Sequence, residues 1–258
     1  VIGRFFSAEI TGLYFFAKKI SNLISQQLTG AVQQATYPAL STLQYNDEEL
    51  RKKYRQIMQL MMFLIAPFMG LLVGLASPLF GLLFDEKWQD AVPYLQISCV
   101  VGVLYPVHAL NINLLNVKGR SDLVLKIGLL KKGVNLTLLF LAIPYGVIGI
   151  LVSQVIGSIV ALVPNTYYSA RLIGYTFSSQ LKDVFKPLFS AFSAAGVSWL
   201  LAGKLGGAEV FTIFTSGLVG LIVFILVGLC IRAEALLLLF GKIKDILEKK
   251  RKSKFVIR

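Results

Sequence analysis

Seven mostly apolar stretches, each about twenty residues or longer, dominate this sequence: approximately 12–40, 57–84, 91–117, 123–143, 147–170, 184–203 and 210–231. A helix of ~20 mostly apolar residues crosses the ~30 Å hydrocarbon core of a bilayer. Inside that core every backbone amide needs a partner, so only helices and closed barrels can span it. The runs are continuous and do not alternate with period two, which excludes barrel strands. The expected fold is therefore all-α: a multi-pass transmembrane helix bundle of about seven spanning helices over residues 1–240, with a basic cytoplasmic tail at 241–258. No connection is long enough to be a separate domain. Composition agrees, since 56% of the 258 residues are apolar and 15% charged, against about 25% charged in soluble domains. A water-soluble fold of this size has too little interior to hide that apolar surface.

The connections set the orientation. Residues 41–56 carry Arg51, Lys52, Lys53 and Arg55; 118–132 carry Lys118, Arg120, Lys126, Lys131 and Lys132; 171–186 carry Arg171, Lys182 and Lys186. Residues 232–258 carry nine more Lys or Arg. The alternate connections hold only Lys87 and Lys204. Because the bias alternates loop by loop, the positive-inside rule puts the basic side, and the C-terminus, in the cytoplasm of a cell-membrane protein. The net charge of +13 then reflects membrane lipids as partners, with no nucleic-acid surface implied. The tail reads as a short amphipathic helix followed by a basic run resting near anionic headgroups.

Cys99 and Cys230 lie in separate apolar runs, and one histidine cannot complete a zinc site, so both cysteines read as small core residues and no metal or cofactor is expected. Pro67, Pro78, Pro93, Pro106 and Pro164 fall within the predicted spans, where kinks are tolerated if neighbours satisfy the freed carbonyl. Gly70, Gly74, Gly102, Gly128, Gly157, Gly217, Gly220 and Gly228 allow close helix contact. The chain opens at Val1 inside an apolar stub without a signal-peptide pattern, so a longer protein is expected to precede it.

The first span, 12–40, is unlike the rest. Lys19, Asn22, Gln26, Thr29 and Gln33 follow one another by three or four residues and so share a helical arc of about 80°; Lys18 extends it. Ala17, Ile24, Leu28, Ala31 and Ala35 occupy the opposite side. Charged and amide groups at membrane depth usually face a bundle interior or a hydrated cavity. The expectation is that this stripe lines such a cavity and that Lys18 and Lys19 meet an anionic group; Arg4, in the preceding stub, is a further candidate. The alternative is that both lysines snorkel to the outer headgroups on their long stems. His108, near Asn111, Asn113 and Asn116, is read as a hydrogen-bonded packing residue in preference to a proton relay. The Asn135-Leu136-Thr137 sequon lies inside a span and is read as chance. No phosphate-cradling G-x-x-x-x-G-K-[ST] is present and no paired carboxylates lie mid-span, so enzymatic chemistry has little footing.

Several short pieces resemble a known family: Gly12-Leu13-Tyr14, then Tyr37-Pro38-Ala39-Leu40-Ser41, then Leu50-Arg51-Lys52-Lys53-Tyr54. Leu83-Phe84, Lys87-Trp88, Ala91-Val92-Pro93-Tyr94-Leu95-Gln96-Ile97 and Gly119-Arg120-Ser121-Asp122 follow in order. Over residues 1–132 the chain is similar to the polysaccharide transporter (Wzx-like) branch of the multidrug/oligosaccharidyl-lipid/polysaccharide exporter superfamily, which includes O-antigen, colanic acid and teichuronic acid flippases. The resemblance implies the C-terminal half of a 12- to 14-helix transporter. Such a protein moves undecaprenyl-diphosphate-linked oligosaccharide to the outer leaflet by alternating access, with the N-terminal half and other polysaccharide-assembly proteins as partners. It further implies that Lys18, Lys19 and Arg4 face the diphosphate, with Asn22, Gln26 and Gln33 meeting sugar hydroxyls. Two other readings stand beside it. A multidrug efflux transporter of the same superfamily would favour an apolar, acidic cavity; a membrane-embedded glycan polymerase or ligase would need a large outer loop bearing catalytic Arg or His.

Overall fold

The computed structural model describes residues 2–205 and 209–231; the predicted tail at 241–258 lies outside them. Every regular element described is helical: α1 (Ile2–Phe5), α2 (Ala8–Ser41), α3 (Asp47–Gly74), α4 (Ala76–Leu83), α5 (Val92–Val117), α6 (Ser121–Ala142), α7 (Gly146–Ile173), α8 (Phe177–Lys204) and α9 (Glu209–Cys230), with short 3-10 turns at Glu86–Ala91 and Ile143–Tyr145.

Five helical segments are long and apolar enough to cross a membrane: 47–74, 86–117, 121–173, 177–204 and 209–230. The sequence led us to expect seven. Part of the difference is the segment 121–173, which folds back at the Ile143–Tyr145 turn and at Gly146, whose φ of 72° suits a residue without a side chain. A Cβ on Gly157 of α7 would meet Asn135 and Leu138 of α6, so the two helices pack as an antiparallel hairpin. The remainder is α2, 34 residues long but too polar to qualify.

Helix starts correct the sequence reading most. Asn46 caps α3, accepting from the amide of Glu49 at 3.1 Å, and Asp47, Glu48 and Glu49 complement the positive end of that helix. Arg51, Lys52, Lys53 and Arg55 therefore sit on the first turns of a helix, not on a loop. Lys126, Lys131 and Lys132 likewise belong to helix α6, and Lys182 and Lys186 to helix α8. The predicted span 57–84 is two helices, broken at Leu75 (φ −103°, ψ 7°). Pro78 cannot donate to the carbonyl of Gly74 and its ring crowds it, which ends α3 there.

The turns at 42–46, 118–120 and 174–176 gather at one end of the bundle. Lys118 binds the carbonyl of Gln44 and the carboxylate of Asp47, and the Tyr54 and Tyr175 rings meet edge-on at 5.8 Å. Leu40, Leu50, Tyr54, Leu114, Val117, Ile173 and Tyr175 pack into one buried cluster there. Beside it lies a buried carboxylate, Asp183, 6% exposed. It accepts from Arg55 Nε (2.7 Å) and Nη2 (2.8 Å), Gln59 Nε2 (2.8 Å) and the Tyr175 hydroxyl (2.8 Å). Burial, and then the Asp183 charge, push the Tyr175 phenol above its ordinary range, which keeps it a donor. The basic residues of the three turns thus share one end of the molecule. Lys87 and Lys204 lie at the other, where Phe16, Phe80, Phe84 and Trp88 form an aromatic cluster.

α3 and α8 pack closely along a seam of small residues. A Cβ on Gly70 or Gly74 would lie 2.6 Å from the carbonyl oxygen of Ala191 or Ala195 respectively. Gly102 similarly admits Ser21 of α2, whose hydroxyl donates to the Ser98 carbonyl at 3.0 Å. Gly128 faces open space and has no such role. Pro93 lies in the first turn of α5, where its missing N–H costs nothing.

Candidate functional site

The polar residues of α2 separate once the helix is packed. Leu13, Tyr14, Ala17, Ser21, Ser25 and Thr29 are buried against the bundle. Lys19, Gln26, Gln27 and Gln34 are exposed, while Lys18, Asn22 and Gln33 lie half-buried at the boundary. The predicted five-residue stripe is therefore split: Thr29 is wholly buried, and Ala31 and Ala35, expected on the apolar side, are exposed. Phe15, Lys18, Lys19, Asn22, Leu23, Gln26 and Gln27 line a shallow groove of about 450 Å³. Arg4 is exposed on α1 and is not part of that lining.

Lys18 is held rather than free. Its Nζ donates to the Tyr14 hydroxyl at 3.1 Å and to Gln154 Oε1 on α7 at 2.9 Å. Gln154 Nε2 in turn donates to the Tyr14 hydroxyl at 2.8 Å, closing a three-membered network, and the ammonium lies 5.5 Å from the Tyr14 ring centre. Tyr14, one helical turn before Lys18, follows from spacing; Gln154 lies 136 residues away, and no local pattern announces it. Lys18 sits ten residues into α2, about 15 Å along its axis. The Lys18 ammonium is thus held between α2 and α7.

A second polar groove, about 880 Å³, runs between α2, α5 and α6. Gln33, Gln34 and Tyr37 come from α2, His108, Asn113 and Asn116 from α5, and Lys131 from α6. Gln33 donates to the Ala109 carbonyl at 2.8 Å, which ties the two helices. Lys131 is not legible from sequence as a groove residue, because its basic surroundings at 118–132 resemble a turn, whereas it lies on α6. The eleventh residue of α6, it lies about 15 Å into the helix, and among the described residues no carboxylate lies within ion-pair distance of it. Asn113 is buried, and its amide nitrogen has no hydrogen-bond partner among the described residues. His108 bonds Ser158 at 2.9 Å through Nε2 and Asn165 at 2.7 Å through Nδ1. Both ring nitrogens are thus engaged by α7, as a hydrogen-bonded packing role requires. Of the cysteines, Cys99 is buried as expected, whereas Cys230 is exposed, because the surface of α9 is apolar where lipid would cover it.

Along α2, then, lie two open polar grooves, each with lysine and several amides. Cations in a poorly solvated groove attract anionic groups strongly, and amides both donate to and accept from hydroxyls.

Residues 1–93 match a family model described as "Polysaccharide biosynthesis protein", inside the segment whose short motifs carried the resemblance. The chain is 26% identical over 216 residues to the lipopolysaccharide biosynthesis protein WzxC of Escherichia coli (strain K12), covering 80% of this chain and 42% of that one. It is 28% identical over 123 residues to the teichuronic acid biosynthesis protein TuaB of Bacillus subtilis (strain 168), covering 48% and 26%. It is 23% identical over 166 residues to an uncharacterized membrane protein in the cps region of Klebsiella pneumoniae, covering 62% and 34%. The chain thus spans less than half the length of these relatives. No solved structure matches.

Proposed function

We propose, from the distant kinship of this chain with the Wzx- and TuaB-like polysaccharide biosynthesis membrane proteins, that it acts as the C-terminal half of a lipid-linked oligosaccharide flippase. In this reading seven helices, α2 among them, cross the cytoplasmic membrane with the basic turns inside. The open face of α2 looks into a hydrated chamber shared with an N-terminal half. The substrate is undecaprenyl-diphosphate-linked oligosaccharide, and alternating access carries it outward for surface polysaccharide assembly. No bond is made or broken on the way.

The observation that carries the reading is the exposed polar face of α2, with Lys19 and Gln26 beside Lys18 and Asn22. Exposed to acyl chains, such a face would be costly, each central lysine by about 2.5–3.5 kcal/mol on insertion scales. Facing water it costs little and attracts a diphosphate, whose passage through bare hydrocarbon is prohibitive. Lys18 and Lys19 supply charge, and Asn22, Gln26 and Gln33 suit sugar hydroxyls. Arg4 lies on a separate short helix and has the weakest claim. The lysines favour this substrate over the cationic compounds of multidrug exporters. The test is Lys18→Ala with Lys19→Ala in the native protein, scored by surface polysaccharide. Gln154 and Tyr14 still bond one another in that variant, so the fold is kept. Export should fall at least tenfold; unchanged export at normal expression would remove both lysines from the site.

A further inference from the structure

At the basic end of the bundle a third concavity, about 820 Å³, opens between the first turns of α3 and α8. We propose that it is a binding site for the phosphate of an anionic membrane lipid, distinct from the α2 grooves and independent of the export reading.

Four cations, Arg51, Lys52, Arg55 and Lys182, line it against two carboxylates, Glu48 and Asp183. Asp183 is already committed, accepting both a bidentate Arg55 contact and the Gln59 and Tyr175 bonds. That network fixes the wall of the pocket before any ligand arrives. Among the described residues, Arg51, Lys52 and Lys182 have no carboxylate within ion-pair distance. Three cations converge on a hollow whose one uncommitted carboxylate is Glu48, so positive charge remains in excess there and an anion between the cations relieves their repulsion. α8 also begins here, with Ser179 in its first turn and no acidic residue there, so its positive end adds to the same field, whereas Asp47, Glu48 and Glu49 already offset the start of α3.

What makes the ligand a lipid is the surface next to the pocket. Phe185 and Phe189 follow Lys182 by three and seven residues, which puts all three on one side of α8. Both rings are exposed, at 59% and 47%, and they stack at 5.9 Å. A phosphate at Lys182 therefore has an apolar track running from it toward the bundle centre, the shape of a headgroup followed by an acyl chain. A free phosphate would use only the first part.

The experiment uses the protein purified in a neutral detergent and measures thermal stabilisation by added phosphatidylglycerol, phosphatidylcholine or inorganic phosphate. Phosphatidylglycerol should stabilise, and its affinity should weaken about fivefold for each of Arg51→Gln, Lys52→Gln and Lys182→Gln. Lys53→Gln removes a neighbouring charge that does not line the pocket and should change nothing. Phe185→Ala should weaken the lipid. Equal stabilisation by phosphatidylcholine or by inorganic phosphate would overturn the assignment. So would a loss with Lys53→Gln as large as with its neighbours, which would mean diffuse attraction. Single variants suffice, so failure of a multiple variant to fold does not affect the test.

Discussion

Replacing Asp183 by alanine should destabilise the bundle by about 2–3 kcal/mol, and the value follows from its surroundings. The carboxylate is buried and accepts four hydrogen bonds, two from Arg55 and one each from Gln59 and Tyr175. Breaking a buried ion pair costs about 3–5 kcal/mol when the surviving charge is trapped. Here the Arg55 side chain is 43% exposed and Asp183 5%, so the guanidinium can turn to water and the cost falls below that range. Gln59 and Tyr175 cannot escape as easily, and each loses a charge-assisted bond. Tyr175→Phe removes one such bond and should cost about 1–2 kcal/mol. In an Asp183→Ala background that same change should cost almost nothing, because its acceptor is already gone. Unfolding titrations of the four proteins in mixed detergent and SDS provide the numbers. The reasoning fails if Asp183→Ala stays within about 0.5 kcal/mol of the native protein, or if Tyr175→Phe costs the same with and without Asp183.

Further outcomes follow from packing and orientation. Gly70→Leu should abolish a monodisperse bundle, since its first side-chain atom already meets the Ala191 carbonyl at 2.6 Å, whereas Gly128→Ala, facing open space, should leave yield and stability intact; size-exclusion profiles compare them. His108→Gln retains hydrogen-bonding capacity toward Ser158 and Asn165 and should keep export and its pH profile, while His108→Ala strands both partners and should lower stability by about 1–3 kcal/mol; a changed pH profile in the glutamine variant would instead indicate a proton relay. Tyr45→Cys on a basic turn and Tyr145→Cys on the opposite one (91% and 77% exposed) should label differently in intact cells lacking the native cysteines. A membrane-impermeant maleimide should reach only the second, and the reverse pattern would invert the proposed topology.

How far the sequence foretold this varies by residue. The helical stretches followed from apolar runs, and five segments of membrane-spanning length and hydropathy are present. Helix ends do not follow, because charge alone does not separate a loop from a helix end that projects beyond the apolar stretch. Arg51 to Arg55 in fact extend α3 past the apolar stretch, where a helix end projects among headgroups and tolerates cations. The same ambiguity hides Lys131 and conceals Asp183, which sits among residues that read as a connection and finds Arg55 from 128 positions away. Within α2 the three-and-four spacing located polar residues but not the packing angle. Thr29 lies at one edge of the 80° arc and turns inward, and Lys19 at the other edge turns out. Partners such as Tyr14 are legible from helix geometry. Gln154 is not, since only the tertiary fold brings α7 to α2.

Cysteine scanning along α2, with Cys99 and Cys230 replaced by serine, addresses the open polar face most directly. Lys19→Cys, Asn22→Cys and Gln26→Cys should react with a charged, water-soluble thiol reagent in the assembled protein. Phe192→Cys and Leu141→Cys, on exposed apolar surfaces (81% and 65%), should not. If the α2 positions prove as inert as those two, hydrocarbon rather than water covers that face, and no aqueous route for a charged headgroup passes along it.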